Sequence, residues 1–85
     1  MLLEHSLVVL TCDIPESGLY TGDVGAVVHV YGKGEAYEVE FVDGDGTTIA
    51  LITMKSEAVR PVGSGELLHT RRRDLAEQSD APERR

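Results

Sequence analysis

The chain has 85 residues, with 15 aspartates and glutamates against 8 lysines and arginines, one cysteine, no tryptophan and a formal charge of −7. This length allows one domain with a small core and excludes a multidomain enzyme with its own cofactor module, and a lone Cys12 excludes a disulfide-stapled scaffold. The acidic balance argues against unspecific nucleic-acid binding and against adhesion to an anionic membrane, both of which need Lys and Arg, and no apolar run of about 18 residues is present to span a bilayer.

The first element is Leu7-Val-Val-Leu-Thr-Cys12, apolar on both faces, which fits a strand covered on both sides or one leading into a loop. Asp13-Ile-Pro-Glu-Ser-Gly18 follows, where Pro15 and Gly18 exclude regular structure. A second strand places Val24, Ala26, Val28 and Val30 on one face and Gly25, Val27, His29 and Tyr31 on the other. Gly32-Lys-Gly34 is a hairpin connection. The third strand alternates most clearly, with Tyr37, Val39 and Phe41 inward and Glu38 and Glu40 facing water. Asp43-Gly-Asp-Gly46 is a second tight turn, and Thr47–Met54 is a fourth strand rich in β-branched residues. Lys55–Ala58 suits a single helical turn before a short last strand, Val59–Val62. Five short strands with tight hairpins in about 60 residues predict an all-β domain, a small closed five-stranded SH3-like barrel over residues 1–62; closure removes exposed edges that so small a flat sheet would leave.

Composition changes after Pro61. Residues 1–62 hold ten acids and three bases, whereas residues 63–85 hold five of each, so the whole net charge sits on the barrel. Gly63-Ser-Gly65 reads as a flexible joint. Within the 63–85 tail, Leu67, Arg71 and Leu75 follow four-residue steps and predict a narrow apolar helical stripe over 66–78, against the alternative of a frayed tail whose Arg71, Arg72 and Arg73 fold back onto the acidic barrel. Ser79–Arg85 reads as disordered.

Leu19-Tyr-Thr-Gly-Asp-Val-Gly-Ala-Val-Val-His-Val-Tyr31, Ala36-Tyr-Glu-Val-Glu-Phe41, Gly46-Thr-Thr-Ile-Ala-Leu-Ile-Thr53 and Arg60-Pro61 together resemble the bacterial family called domain of unknown function 4926, over roughly residues 4–62. The resemblance implies a stand-alone SH3-like domain in bacteria and a partner class drawn from neighbouring toxin or defence genes. A weaker similarity links Gly22-Asp-Val-Gly-Ala-Val-Val28 to the strand-turn of SH3-like ribosomal and transcription-factor modules that bind RNA. Those surround the turn with Lys and Arg; here the neighbours are Asp13, Glu16, Asp23, Glu35 and Glu38, so the barrel carries over and the RNA does not.

Chemistry-bearing residues are sparse. Gly22, Asp23 and Gly25 suit a tight turn, with Asp23 accepting backbone hydrogen bonds, better than an anion pocket beside so many carboxylates. Asp43 and Asp45 alternate as in a calcium loop, but no bidentate Glu follows, and two Asp-Gly pairs are what a hairpin turn wants. His5, His29 and His69 are too widely spaced for a zinc site, and Cys12, in an apolar run, reads as a small buried thiol, so no metal, cofactor or catalytic set is expected. Glu38 and Glu40, roughly 6.5–7 Å apart at Cα, form a carboxylate rail suited to a basic partner more than to acid–base catalysis, which would need one of them desolvated. Tyr20 with Leu19 is an expected exposed anchor, and Tyr31 adds a less polar patch.

The expected function is a non-enzymatic, cytoplasmic, acidic protein-binding module. Glu38, Glu40, Asp43 and Asp45 would steer a basic partner, Tyr20 and Tyr31 would supply contact area, and Arg71–Arg73 would read the acidic face. Against a nuclease toxin such a surface would compete with nucleic acid, in the manner of an antitoxin or immunity protein. The alternatives are nucleic-acid binding through the barrel or the arginines, and a self-associating structural subunit pairing through a strand edge or the tail.

Overall fold

The computed structural model describes residues 2–73. Five strands, β1 (Leu7–Leu10), β2 (Val24–Tyr31), β3 (Ala36–Val42), β4 (Thr48–Lys55) and β5 (Val59–Pro61), form one sheet in the order β4-β3-β2-β1-β5. Every neighbouring pair is antiparallel. The chain is therefore all-β and barrel-like, and among the described residues there is no α-helix. A single 3-10 turn, Ser56–Ala58, feeds β5. Pro61 pairs with Val8 on the sheet's edge strand, where a missing N–H costs no ladder bond on the outer side.

The core is small and comes from every strand. Val8, Leu10, Val27, Tyr37, Val39, Phe41, Met54 and Val59 are buried, and Leu19 joins them from the first loop. Tyr37, Val39 and Phe41 point inward as the alternation of β3 predicts, with Glu38 and Glu40 half-exposed on the other face. The Tyr37 hydroxyl, at the rim, accepts the Leu2 N–H at 3.1 Å, so the apolar ring is buried without orphaning its polar end.

Two irregularities depart from the alternation read in the sequence. Val27 pairs with Val39, but the next β3 residue, Glu38, pairs with His29, leaving Val28 as an extra residue on β2. This bulge switches the inward parity. Val27 is buried before it and Val30 packs on the core after it, while His29 and Tyr31 turn outward. The uniform assignment of Gly25, Val27, His29 and Tyr31 to one face is thus corrected. On β4, Ile49 is the extra residue between the Phe41–Ala50 and Val42–Thr48 pairs. Cys12 is a further correction: β1 ends at Leu10, and the thiol is exposed in the loop beyond it.

The predicted helix over 66–78 is absent from its described part. Glu66–Arg73 has no helical turn, and Leu67 and Leu68 are exposed, so no apolar stripe is buried to stabilise one. The remainder, including Leu75, and the expected disorder of Ser79–Arg85 lie outside the described residues.

Candidate functional site

The long loop after β1 is ordered by two carboxylates. Asp13 Oδ1 accepts the Thr21 N–H at 2.8 Å and its hydroxyl at 2.9 Å, so Asp13 titrates below the ordinary 3.8. Asp23 Oδ2 accepts the Tyr20 N–H at 2.8 Å, the turn role read from the sequence. Between them Ile14 and Leu19 bridge across a 3-10 turn that Gly18 ends with φ +72, a left-handed conformation glycine adopts without penalty. The bridge drives Leu19 into the core, 3% exposed. Leu19 is therefore not part of an exposed anchor with Tyr20, which stays exposed on its own.

The Asp43–Gly46 turn is closed in the same way. Asp43 Oδ1 accepts the N–H groups of Asp45 and Thr47, each at 3.2 Å, and Asp45 Oδ1 accepts that of Thr47 at 3.0 Å. A hydrogen bond shared with the Asp43 carboxyl, reinforced by Thr47, lowers Asp45 to about 2. These are turn interactions, in which the carboxylates serve backbone donors. Among the described residues no three of His, Cys, Asp and Glu converge as a metal-binding group.

These two loops lie at one end of the barrel and bound an open groove of about 800 Å³, floored by Leu19, Val24, Phe41 and Ile49. Residues 69–73 line its remaining side. Two ion-pair contacts hold that segment. Arg71 makes a bidentate pair with Asp23 (Nε to Oδ1 2.7 Å, Nη2 to Oδ2 2.6 Å), and Nη2 also donates to the Gly18 carbonyl at 2.8 Å. Its guanidinium carbon sits 5.1 Å from the Tyr20 ring centroid, within cation–π range. Arg73 reaches Asp43, Nη2 to Oδ2 3.7 Å. Arg72, between them, also lines the groove and makes no ion pair among the described residues.

The segment is tethered upstream by a clasp that the sequence reading did not find. Gly63–Glu66 forms a turn in which Glu66 takes both Nη atoms of Arg60 at 2.8 Å and the Gly63 N–H, lowering Glu66 to about 2. Acid six residues after base is a spacing that only this turn brings together. The arm is thus pinned at Arg60 and again at Asp23.

The nine residues singled out in the sequence fall into two groups. Tyr20, Asp43, Asp45 and Arg71–Arg73 gather at the groove. Tyr31, Glu38 and Glu40 lie on the outer sheet face, where the Tyr31 hydroxyl donates to Glu38 at 3.3 Å, the Thr48 hydroxyl donates to Glu40, and His29 packs edge-on against Tyr31 at 4.5 Å. Tyr20 is tied to Asp23 at the start of β2 and Tyr31 ends it, a separation of roughly 23 Å at about 3.3 Å per residue. The two tyrosines therefore belong to different surfaces. Asp23, missed as a binding residue, was legible only as a turn former.

Partial desolvation and geometry set the strength of the arm contact. The Asp23 carboxylate is 16% exposed and Arg71 37%; a screened pair contributes about 0–1 kcal/mol and an exposed cation–π contact about 0.5–1. A docking preference near 1.4 kcal/mol, about tenfold, is the consequence. Asp23 is held below the ordinary 3.8 mainly by its hydrogen bonds to Arg71. A depressed folded pKa contributes stability that is complete above the undocked value and lost as pH falls through the docked one. The arm is therefore expected to stay docked at neutral pH and to release only below about pH 4. Carboxyl-carbon NMR checks this: Asp23 titrates below 3.8 in the native protein and moves upward in Arg71→Ala. An Asp23 midpoint unmoved by that substitution contradicts the pairing.

Fold and site together define a small all-β barrel-like domain with an acidic groove at one end. The chain belongs to the family described as Domain of unknown function (DUF4926), whose model matches residues 4–61. No curated protein and no solved structure matches the chain. The matched span covers Tyr20, Asp23, Asp43 and Asp45 and stops short of the arm. Among the described residues no helix is long and apolar enough to cross a membrane.

Proposed function

We propose that this protein is a non-enzymatic, acidic protein-binding module that docks on a basic partner, an accessory of antitoxin or immunity type for the product of an adjacent bacterial gene. One observation carries the reading: the acidic end of the barrel already holds arginines, with Asp23 gripping Arg71 in a bidentate pair beside the Tyr20 ring. A surface built to take guanidinium groups from its own chain has the acceptors and aromatic platform to take them from another. The excess of acids on residues 1–62 would speed encounter with such a partner, since surfaces of opposite charge attract over long range at low salt.

The test is capture of the adjacent gene product by the tagged full chain, at about 50 mM and about 500 mM salt, where the Debye length falls from roughly 14 to 4 Å. Retention at low salt and clear weakening at high salt is expected. Capture that ignores salt, or none at either concentration, refutes the reading.

A further inference from the structure

We propose that the groove between the Asp13–Asp23 loop and the Asp43–Gly46 turn is the docking site for an extended partner segment carrying arginines two residues apart, and that residues 69–73, along its remaining side, occupy the Asp23 and Asp43 acceptors in cis as a built-in competitor. The inference rests on the protein-binding reading and supplies its site and the chemistry of its ligand.

The spacing comes from the arm itself. Arg71 and Arg73 reach Asp23 and Asp43, which lie on different loops, while Arg72 between them makes no ion pair among the described residues. An extended chain repeats its side-chain direction every two residues, about 6.5–7 Å along the strand. The Asp23 end demands arginine in particular. Its two oxygens are met by Nε and Nη2 in a side-on fork, Nη2 is shared with the Gly18 carbonyl, and the planar group faces Tyr20. A lysine ammonium, a single point of charge, reproduces neither the fork nor the stacking.

The arm is also a replaceable occupant. It holds the groove by its arginines, while Leu67 and Leu68 are 81% and 57% exposed and place nothing apolar on the floor. Val24 and Ile49, half-buried, still border open volume. A partner segment that adds an apolar side chain to the same two arginines gains contact the arm lacks. On the outer face, by contrast, Glu38 and Glu40 are engaged by the Tyr31 and Thr48 hydroxyls, and no arginine is seated there among the described residues. A tethered occupant lowers the affinity of any competitor by the fraction of time the groove stands open. If the arm engages Asp23 and Asp43 about nine-tenths of the time, freeing them tightens binding about tenfold.

The experiment uses the full chain and a fluorescent peptide copying residues 67–73, titrated by anisotropy at about 50 mM salt, a range in which charge contacts are least screened. The R71A/R73A double variant is expected to bind the peptide about tenfold more tightly than the native chain. Adding Tyr20→Ala to that variant reverses the gain, as does adding Asp23→Asn. Tyr20 donates and accepts no side-chain hydrogen bond among the described residues, so its variant stays informative if Asp23→Asn loosens the loop. A peptide with Lys in place of both arginines binds several-fold more weakly.

Equal binding by native chain and double variant, no binding by either, or a gain that survives Tyr20→Ala with unchanged circular dichroism overturns the proposal. So does tighter binding of a short RNA than of the peptide, which would make the groove's ligand a nucleic acid. A native dimer by light scattering that dissociates in R71A/R73A also overturns it, placing the arm on a second copy. Because the peptide assay needs no partner, failed capture of a partner leaves its result standing. A captured partner that the peptide cannot displace refutes this groove and keeps the module.

Discussion

Phe41→Ala is expected to cost about 3–5 kcal/mol and to leave little folded protein at 37 °C. Phe41 is the only phenylalanine and 2% exposed, the largest side chain buried so completely. It packs between Gly25 on β2 and Ala50 on β4, its cross-strand partner, so truncation opens a cavity at the centre of the sheet that short strands cannot collapse to fill. A domain of this size has only about 4–13 kcal/mol in total. Urea denaturation followed by circular dichroism measures the loss, and Leu51→Ala is the control. Leu51 is 54% exposed on the outer face, where truncation is expected to stay within about 0.5 kcal/mol. A cost below about 1 kcal/mol for Phe41→Ala would mean the core closes without it.

Gly25→Ala is the second large expected effect, about 1–3 kcal/mol destabilising from adding one methyl group. A Cβ there would meet Val39 Cγ1 at 2.7 Å, Phe41 Cε1 at 2.8 Å and the Glu40 carbonyl oxygen at 2.9 Å. The two side chains are buried, and the carbonyl belongs to the neighbouring β3 backbone, so none has room to yield. Without the clash, replacing a glycine would gain about 0.4–1 kcal/mol by restricting the unfolded chain; contact therefore decides the sign. At about 4–8 °C per kcal/mol the melting temperature falls by several degrees to more than ten. The cause is separable by a double-mutant cycle. Val39→Ala removes the nearest methyl, so Gly25→Ala should cost less in that background, and strictly additive losses would contradict a steric origin.

Most of the fold was legible because it is written in short-range patterns. The alternation of Tyr37, Val39 and Phe41 with Glu38 and Glu40 placed β3 correctly on both faces. The glycine and aspartate turns set the hairpins. What escaped depends on pairing. The bulge at Val28 changes which face His29 and Tyr31 occupy, and nothing local marks it, because Val28 is as apolar and β-branched as its neighbours. Leu19 looked exposed because its surroundings are polar. Its burial follows from the Ile14–Leu19 bridge, a feature of the loop's three-dimensional path. The helical stripe in the tail is absent from its described part for the opposite reason. Its periodicity is real, but a helix of that length needs an apolar surface to rest on, and the described part finds two carboxylates instead.

The site was legible as a list of residues and illegible as a geometry. By itself the sequence determined that the domain is all-β, that the net charge of −7 lies on residues 1–62, and that three arginines follow a neutral, glycine-rich joint. Charge and strand periodicity are properties of composition and of neighbours, and need no fold to be read. Only the tertiary structure decided which acids meet which bases. Asp23 and Arg71 are 48 residues apart and grip each other because β2 and the arm converge at one end of the barrel. Glu38 and Glu40, equally acidic, face the other way because the pleat of β3 sends Tyr37, Val39 and Phe41 inward.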